Sequence, residues 1–214
     1  MTEAEIAGAI HRGNEVARIR IPVAGRHNVI DALAAMALAY RCGVECDSIV
    51  QALRTFQSVR RRMEIKAEVA GVLLVEDFAH HPTAIRLTLE AARTRWPGRK
   101  IWAAVEPRSN TMRRKVFQDA LPDALALADA VLFGPVNRAQ LLEEGERLSP
   151  EAIAESIRAR GRDARAFRSS ADIAEHVADH AGPGDLLLIL SNGSFDGLTS
   201  KVAEKLGMRA GVRG

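Results

Sequence analysis

The sequence predicts an α/β fold in which a mostly parallel, Rossmann-like sheet carries helices on both faces, preceded by a strand-helix-helix segment. From residue 63 onward, short strand-like segments alternate with helical ones, the pattern of βαβ units. The run Leu186–Leu190 is apolar at every position, as expected for a central parallel strand. Apolar residues make up 47% of the 214 residues and charged residues 27%, which are globular values.

Residues 1–59 are predicted to be the end of one domain. Glu15–Ile21 alternates apolar and polar residues and predicts a strand. Asn28–Tyr40 is rich in Ala, Leu and Met and predicts a helix that ends before Gly43. Asp47 is expected to cap a second helix. A single strand needs partners, so we expect the body of this domain to lie outside the segment.

Residues 60–214 are predicted to form a second domain around the parallel sheet. Its candidate strands are Met63–Val69, Val72–Glu76, Lys100–Val105, Ala130–Phe133, Ala164–Phe167 and Leu186–Leu190. Helices are expected between them, beginning at Pro82, at Pro150, at Ser169 or Ser170, and at Phe195. Each crossover between parallel strands should be right-handed.

Polar, chemically capable residues follow the predicted strands at their carboxyl ends. The clusters are Asp77–His81, Glu106–Asn110, Gly134–Arg138 and Ser191–Phe195. The carboxyl ends of parallel strands lie on one edge of the sheet, where open α/β folds bind their ligands. The sequence therefore predicts one composite site built from these loops.

Each of these clusters allows a structural and a functional interpretation. His81 could cap the helix that starts at Pro82, and His80 and His81 could form a metal pair, although adjacent histidines rarely reach one ion. Asp77 could be a turn residue, or it could hold a ribose hydroxyl or a cation. Arg108 could be a surface charge or a bidentate clamp for a carboxylate. Ser191–Gly193 could be a simple turn or an anion site.

Composition excludes several classes of protein. Thirty basic and 27 acidic residues are interleaved along the chain and give a net charge of +3, so no nucleic-acid-binding tail is present. No apolar run approaches the roughly 20 residues of a membrane span, and no secretory signal is expected.

Cys42 and Cys46 have no partners at metal spacing, so we expect no metal site and a reduced cytoplasmic setting. Neither a G-x-x-x-x-G-K-[ST] phosphate loop nor a G-x-S-x-G elbow occurs.

Taken together, these motifs resemble those of the Mur ligase family, the ATP-dependent ligases of peptidoglycan synthesis. Gly25–Ala35 resembles the family's G-x-H-N-x-x-N-A-x-A-A segment, and Arg61–Glu64 resembles its R-R-x-E hinge. Asp77–Thr83 resembles the D-[YF]-A-H-H-P-T motif of the muramate-recognising branch. Glu106–Met112 and Ser191–Phe195 resemble the branch that accepts a recycled murein tripeptide.

The resemblance implies a role for each matching residue. Asn28 would bind adenine, Arg62 would lie near phosphate and Asp77 at the ribose, so these three would hold the nucleotide. His80 and His81 would be the catalytic positions beside the reacting centre. The peptide pocket would be lined by Arg108, Ser109, Asn110, Ser191, Asn192 and Ser194.

The same resemblance implies a reaction. ATP would phosphorylate the carboxylate of UDP-N-acetylmuramate, and the amine of L-alanyl-γ-D-glutamyl-meso-diaminopimelate would attack the acyl phosphate. Residues 1–59 would be the end of the family's central ATP-binding domain and residues 60–214 its C-terminal Rossmann-like domain. ATP and Mg²⁺ would be required, with Mg²⁺ ligands expected mainly in the missing N-terminal and central parts, so this segment is expected to be inactive alone. The alternatives are the ligase that adds L-alanine to UDP-N-acetylmuramate and a non-catalytic module that binds a small ligand.

Overall fold

The computed structural model describes residues 5–11 and 14–212, which form two compact units. The first unit holds the described residues up to Arg60 together with Glu90–Pro97. The second holds Arg61–Leu89 and the described residues from Gly98 onward. Along the chain, the first boundary between the units therefore falls between Arg60 and Arg61.

The first unit contains an antiparallel pair of strands and two helices. Its elements are β1 (Glu5–His11), β2 (Asn14–Ile21), α1 (Arg26–Arg41) and α2 (Cys46–Arg54). The sequence predicts β2 and both helices but not β1, whose central Ala-Gly-Ala run has low strand propensity and gains its structure by pairing with β2.

The ends of the two helices differ from a simple capping pattern. Gly25 at the start of α1 has a φ of 104°, and a Cβ there would come within 2.6 Å of His27 Cε1, so the position requires glycine. The predicted cap at Asp47 is wrong. Helix α2 begins at Cys46, which leaves Asp47 inside its first turn, where a carboxylate interacts favourably with the helix dipole.

The second unit is a six-stranded sheet in the order β3-β4-β8-β5-β6-β7. The strands are β3 (Glu64–Val69), β4 (Val72–Asp77), β5 (Ile101–Val105), β6 (Ala130–Phe133), β7 (Asp163–Ala166) and β8 (Leu186–Leu190). Only β3 runs antiparallel to its neighbour, so the predicted mostly parallel α/β sheet is confirmed.

Helices and short 3₁₀ segments connect these strands. The α-helices are α3 (Pro82–Arg95), α4 (Leu121–Ala124), α5 (Pro150–Ala159), α6 (Ser170–His180) and α7 (Leu198–Val212). The 3₁₀ segments are Lys115–Phe117, Ala139–Leu141, Glu144–Glu146 and Phe195–Gly197. Ser149 and Ser169 cap α5 and α6 through their hydroxyl groups, as their sequence positions predict.

The predicted start of the last helix at Phe195 is wrong by three residues. Phe195 and Asp196 adopt left-handed backbone angles, with φ values of 46° and 50°, so the regular helical backbone begins only at α7. Phe195 is buried, while Asp196 Oδ2 accepts hydrogen bonds from Ser170 Oγ at 2.7 Å and Lys201 Nζ at 2.6 Å. These contacts hold a conformation that non-glycine residues rarely adopt.

Strand β8 lies last in sequence among the described strands but sits between β4 and β5 in the sheet. All five of its residues are buried, as the apolar run predicts. The loop that follows β8 is therefore flanked by the loops that follow β4 and β5, which carry the polar clusters. Among the described helices, none combines the length and apolar character needed to cross a bilayer.

Candidate active site at the carboxyl edge of the sheet

The loops after β4, β5 and β8 are joined by backbone hydrogen bonds. The Ser191 amide donates to the Asp77 carbonyl at 3.0 Å, and the Glu106 amide donates to the Leu190 carbonyl at 3.0 Å. A cavity of about 10 Å³ lies along the same edge. It is lined by Arg61, Glu76, Asp77, Ile189, Ser191, Gly193, Ser194 and Phe195. The prediction that these polar clusters converge on one edge is confirmed.

A hydrogen-bonded network links the loop after β5 to the loop after β8. Ser191 Oγ donates to Glu106 Oε2 and accepts from the Gly193 amide at 2.8 Å. Arg108 Nη1 lies 3.5 Å from Glu106 Oε1. Glu106 is only 6% exposed. The Ser191 hydroxyl on one oxygen and the Arg108 guanidinium near the other offset the cost of burying its carboxylate.

Arg108 lies directly against the backbone of Gly193. A Cβ added at Gly193 would overlap the Nε, Cδ and Cζ atoms of Arg108, so no larger residue fits unless Arg108 moves. The Arg108 side chain is 38% exposed, which leaves part of its guanidinium open to solvent. A planar, partly exposed guanidinium held by a buried carboxylate suits recognition of a second carboxylate.

Asn192 and Ser194 complete the loop after β8. The Asn192 Oδ1 atom is buried and has no hydrogen-bond partner among the described residues. Buried acceptors are usually satisfied, so this unpaired oxygen in the loop after β8 is a candidate acceptor for a ligand N–H group. Ser194 is exposed at the rim of the cavity described above.

Ser109 and Asn110 are tied into the loop after β5. Ser109 Oγ accepts from the Met112 amide at 3.1 Å and so stabilises the turn. Asn110 Oδ1 accepts from Arg113 Nη2 at 2.6 Å, and Arg113 Nη1 donates to the Asn137 carbonyl at 3.4 Å. Arg113 therefore connects the loop after β5 to the loop after β6.

Asp77 lies at the end of β4 and is 4% exposed. Its Oδ1 accepts from the Ala79 amide at 2.8 Å and from Thr88 Oγ1 at 3.2 Å, and its Oδ2 accepts from the Met63 amide at 2.9 Å. A carboxylate can accept about four hydrogen bonds, so Oδ2 retains capacity for one more donor. Asp77 therefore stabilises the local turn, and one acceptor position on Oδ2 remains for a ligand.

The segment Arg61–Met63 forms a strained turn beside Asp77. Arg61 and Met63 have φ values of 59° and 50°, in the left-handed region. The Arg61 amide donates to Glu64 Oε2 at 2.8 Å, and its carbonyl accepts from the Phe78 amide at 2.8 Å. Arg62 is exposed, with its guanidinium 5.8 Å from the centre of the Phe78 ring.

His80 and His81 make separate contacts. His80 Nδ1 donates to the Phe78 carbonyl at 2.8 Å. His81 Nδ1 accepts from the Thr83 amide at 3.2 Å, so His81 caps the start of α3, and its ring packs on Phe117 with centroids 4.8 Å apart. The described residues contain no group of three or more His, Cys, Asp or Glu that could hold a metal ion, so no Mg²⁺ ligand set is assigned to them.

Asn28 lies in the first unit, in a groove of about 320 Å³. The groove is lined by Ile21, Val23, Asn28, Asp31, Ala32, Ala35, Leu53 and Phe56. Asn28 Nδ2 donates to the Ala24 carbonyl at 2.6 Å, so its side-chain oxygen can accept a further hydrogen bond. The apolar walls and polar end of this groove suit a planar heterocycle.

Sequence reasoning gave no role to Glu106, Arg113 or His27. Glu106 is buried and central to the network, Arg113 fixes Asn110, and His27 Nδ1 is buried without a partner among the described residues. An acidic residue directly after a fully apolar strand and two positions before Arg108 was the available signal for Glu106. Nothing in the local sequence distinguishes Arg113 from its neighbour Arg114.

Comparison with known proteins gives consistent matches. A family model described as Mur ligase, glutamate ligase domain, matches residues 61–193. A UDP-N-acetylmuramate–L-alanyl-γ-D-glutamyl-meso-2,6-diaminoheptandioate ligase from Haemophilus influenzae is 36% identical over 201 residues, covering 93% of this chain and 42% of the relative. A UDP-N-acetylmuramate–L-alanine ligase from Roseiflexus is 40% identical over 170 residues, covering 79% of this chain and 35% of the relative.

A solved structure extends this similarity to three dimensions. The crystal structure of a murein peptide ligase from Psychrobacter arcticus matches with a TM-score of 0.68 and 37% identity, covering 89% of this chain and 39% of that one. The chain thus spans about two-fifths of the length of the proteins it matches.

Proposed function

The chain belongs to the Mur ligase family, and we propose that the full-length protein joins UDP-N-acetylmuramate to the tripeptide L-alanyl-γ-D-glutamyl-meso-diaminopimelate in an ATP-dependent, ADP-forming reaction. The observation that carries this proposal is that a partly exposed guanidinium, Arg108, and an unpaired acceptor, Asn192 Oδ1, lie in neighbouring loops at one edge of the sheet. An acidic peptide presents carboxylates to the first group and N–H groups to the second.

The proposed reaction proceeds in two steps. The muramoyl carboxylate attacks the γ-phosphorus of ATP, forming an acyl phosphate and releasing ADP. The neutral α-amine of the tripeptide then attacks the acyl carbon, so that a C–N bond forms, the C–O bond to phosphate breaks, and inorganic phosphate and one amine proton leave. The part of this chain is to bind and orient the amine substrate, since bringing two reactants together lowers the barrier substantially.

The nucleotide-binding roles are part of the same proposal. Asn28 would accept from the adenine amino group in its groove, the exposed Arg62 would face phosphate, and Asp77 would offer its remaining Oδ2 lone pair to a ribose hydroxyl. His80 and His81 would flank the reacting atoms without a proton-transfer role assigned to either. We place the reaction in the cytoplasm, where ATP and UDP-linked precursors are available.

An acceptor-substrate assay tests the proposal. Purified full-length protein is given ATP, Mg²⁺ and UDP-N-acetylmuramate with either the tripeptide or L-alanine, and release of ADP is measured. We expect kcat/KM to be at least about 100-fold higher for the tripeptide, which corresponds to about 2.7 kcal/mol of differential binding. No turnover with the tripeptide would contradict the proposal.

The L-alanine ligase is the second candidate, because the Roseiflexus enzyme of that name is 40% identical over its matched region. A preference for L-alanine in the same assay would select it. The resemblance of Glu106–Met112 and Ser191–Phe195 to the branch that accepts the murein tripeptide favours the tripeptide ligase over it. Tripeptide binding without ADP release in the presence of all substrates would instead indicate a binding module.

A further inference from the structure

Glu106 is a buried carboxylate to which the proposed reaction assigns no task. It follows β5, its side chain is 7% exposed, and its amide is bonded to the end of β8. Burying a carboxylate is costly unless it is paired and hydrogen-bonded. An apolar residue would pack here at lower cost, so the carboxylate at this position is expected to have a role other than packing.

The contacts of Glu106 divide between two loops that the proposed function needs. On one oxygen it accepts from Ser191 Oγ, whose own oxygen accepts from the Gly193 amide and so shapes the loop after β8. On the other oxygen it faces Arg108, which rests on Gly193. Arg108 has no other hydrogen-bond or ion-pair partner among the described residues, so Glu106 alone holds it by charge.

We propose that Glu106 is a positioning residue that fixes Arg108 and Ser191 in the orientation required to bind a carboxylate of the acceptor peptide. Arg108 is a long side chain, and a guanidinium that is already oriented loses less rotamer freedom when its ligand binds. The inference rests on the proposed function, because it concerns the same peptide pocket.

The variant Glu106→Gln in the full-length protein tests this role. Glutamine has nearly the same shape and can still accept from Ser191, but it has no charge to hold Arg108. We expect KM for the tripeptide to rise about tenfold while kcat and KM for ATP change less than about twofold. An unchanged tripeptide KM, or an equal rise in both KM values, would overturn the inference.

A matched control comes from the opposite edge of the sheet. Glu68 pairs with Arg99 at 3.1 Å, outside the site and on a half-exposed side chain, so Glu68→Gln also removes a glutamate charge that faces an arginine. It should leave both KM values unchanged. If Glu106→Gln fails to fold in a thermal melt, Ser191→Ala takes its place, since it removes the donor to Glu106 and keeps the buried carboxylate. A Ser191→Ala protein with wild-type KM for the tripeptide would equally overturn the inference.

A double-mutant cycle separates positioning from a general structural effect. If Glu106 acts through Arg108, then Glu106→Gln should change the tripeptide KM less than about twofold in an Arg108→Ala background. Full additivity of the two substitutions would contradict the proposal. A wild-type protein that never uses the tripeptide refutes the proposed function, whereas an active wild type with an unaffected Glu106→Gln variant refutes this inference alone.

Discussion

At Gly193 the absence of a side chain lets the Arg108 guanidinium lie on the backbone of the loop after β8. The same loop carries Ser191, which bonds the buried Glu106, and Asn192, whose buried oxygen is unpaired among the described residues. These residues are adjacent only because β8 lies beside β5 in the sheet. The geometry of this edge therefore depends on individual side chains that meet across two neighbouring loops.

The variant Gly193→Ala should displace Arg108, because the added methyl group occupies the space of its guanidinium. We expect the tripeptide KM to rise about tenfold with little change in KM for ATP. Steady-state kinetics of the full-length protein provide the measurement. Gly145→Ala is the matched control, since a Cβ at Gly145 meets nothing within 4 Å. Equal effects of the two substitutions would contradict the assignment.

On the scale of elements, the turn before α7 is held by Asp196. Hydrogen bonds from Lys201 and then Ser170 hold the pKa of the Asp196 carboxyl below its ordinary value of 3.8. Lys201 lies on α7 and Ser170 begins α6, so Asp196 links the starts of both helices. The left-handed angles at Phe195 and Asp196 need such contacts to persist.

The lowered pKa of Asp196 predicts a pH dependence of stability. A carboxyl whose folded pKa lies below its unfolded pKa stabilises the fold above the unfolded value, and this contribution is lost as pH falls through the folded value. The free energy of unfolding should therefore fall more steeply below pH 3.8 in the wild type than in Asp196→Asn. Urea denaturation across pH 2–5 measures the difference. If the free energy of unfolding changes with pH in the same way in both proteins, Asp196 does not contribute to the pH dependence of stability.

On the scale of the whole molecule, the order of strands in the sheet decides which polar loops lie next to one another. Strand β8 is buried at every residue and brings the last polar cluster between the clusters that follow β4 and β5. The edge strand β3 has the exposed Ile65, which contributes little to the core. Stability and site geometry therefore depend on the same central strand.

Leu188→Ala should lower the free energy of unfolding by about 2–5 kcal/mol, because Leu188 is completely buried in β8 and its truncation leaves a cavity. Ile65→Ala on the edge strand should cost less than about 1 kcal/mol, since Ile65 is 44% exposed. Chemical denaturation of both variants measures the contrast. Comparable losses for the two would mean that β8 is not central to the fold.

Several features of the site could be predicted from the sequence because they depend on local signals. Asp77, Arg108 and Asn192 each follow an apolar strand, and this position alone assigns them to one edge of a parallel sheet. The task of Glu106 could not be predicted in this way. It depends on contact with Ser191, which is 85 residues away along the chain, and no local pattern encodes that pairing.

The alternation of strands and helices, the apolar run of β8 and the motifs after each strand determined the fold class and the family. These features can be read from the order and spacing of residues, because a buried helix or strand face requires apolar residues at regular intervals along the sequence. Tertiary structure alone decided that β1 pairs with β2, that Phe195 and Asp196 turn back before α7, and that Glu106 holds Arg108. Those outcomes depend on particular strand pairings and side-chain contacts, whose energies exist only once the chain has folded.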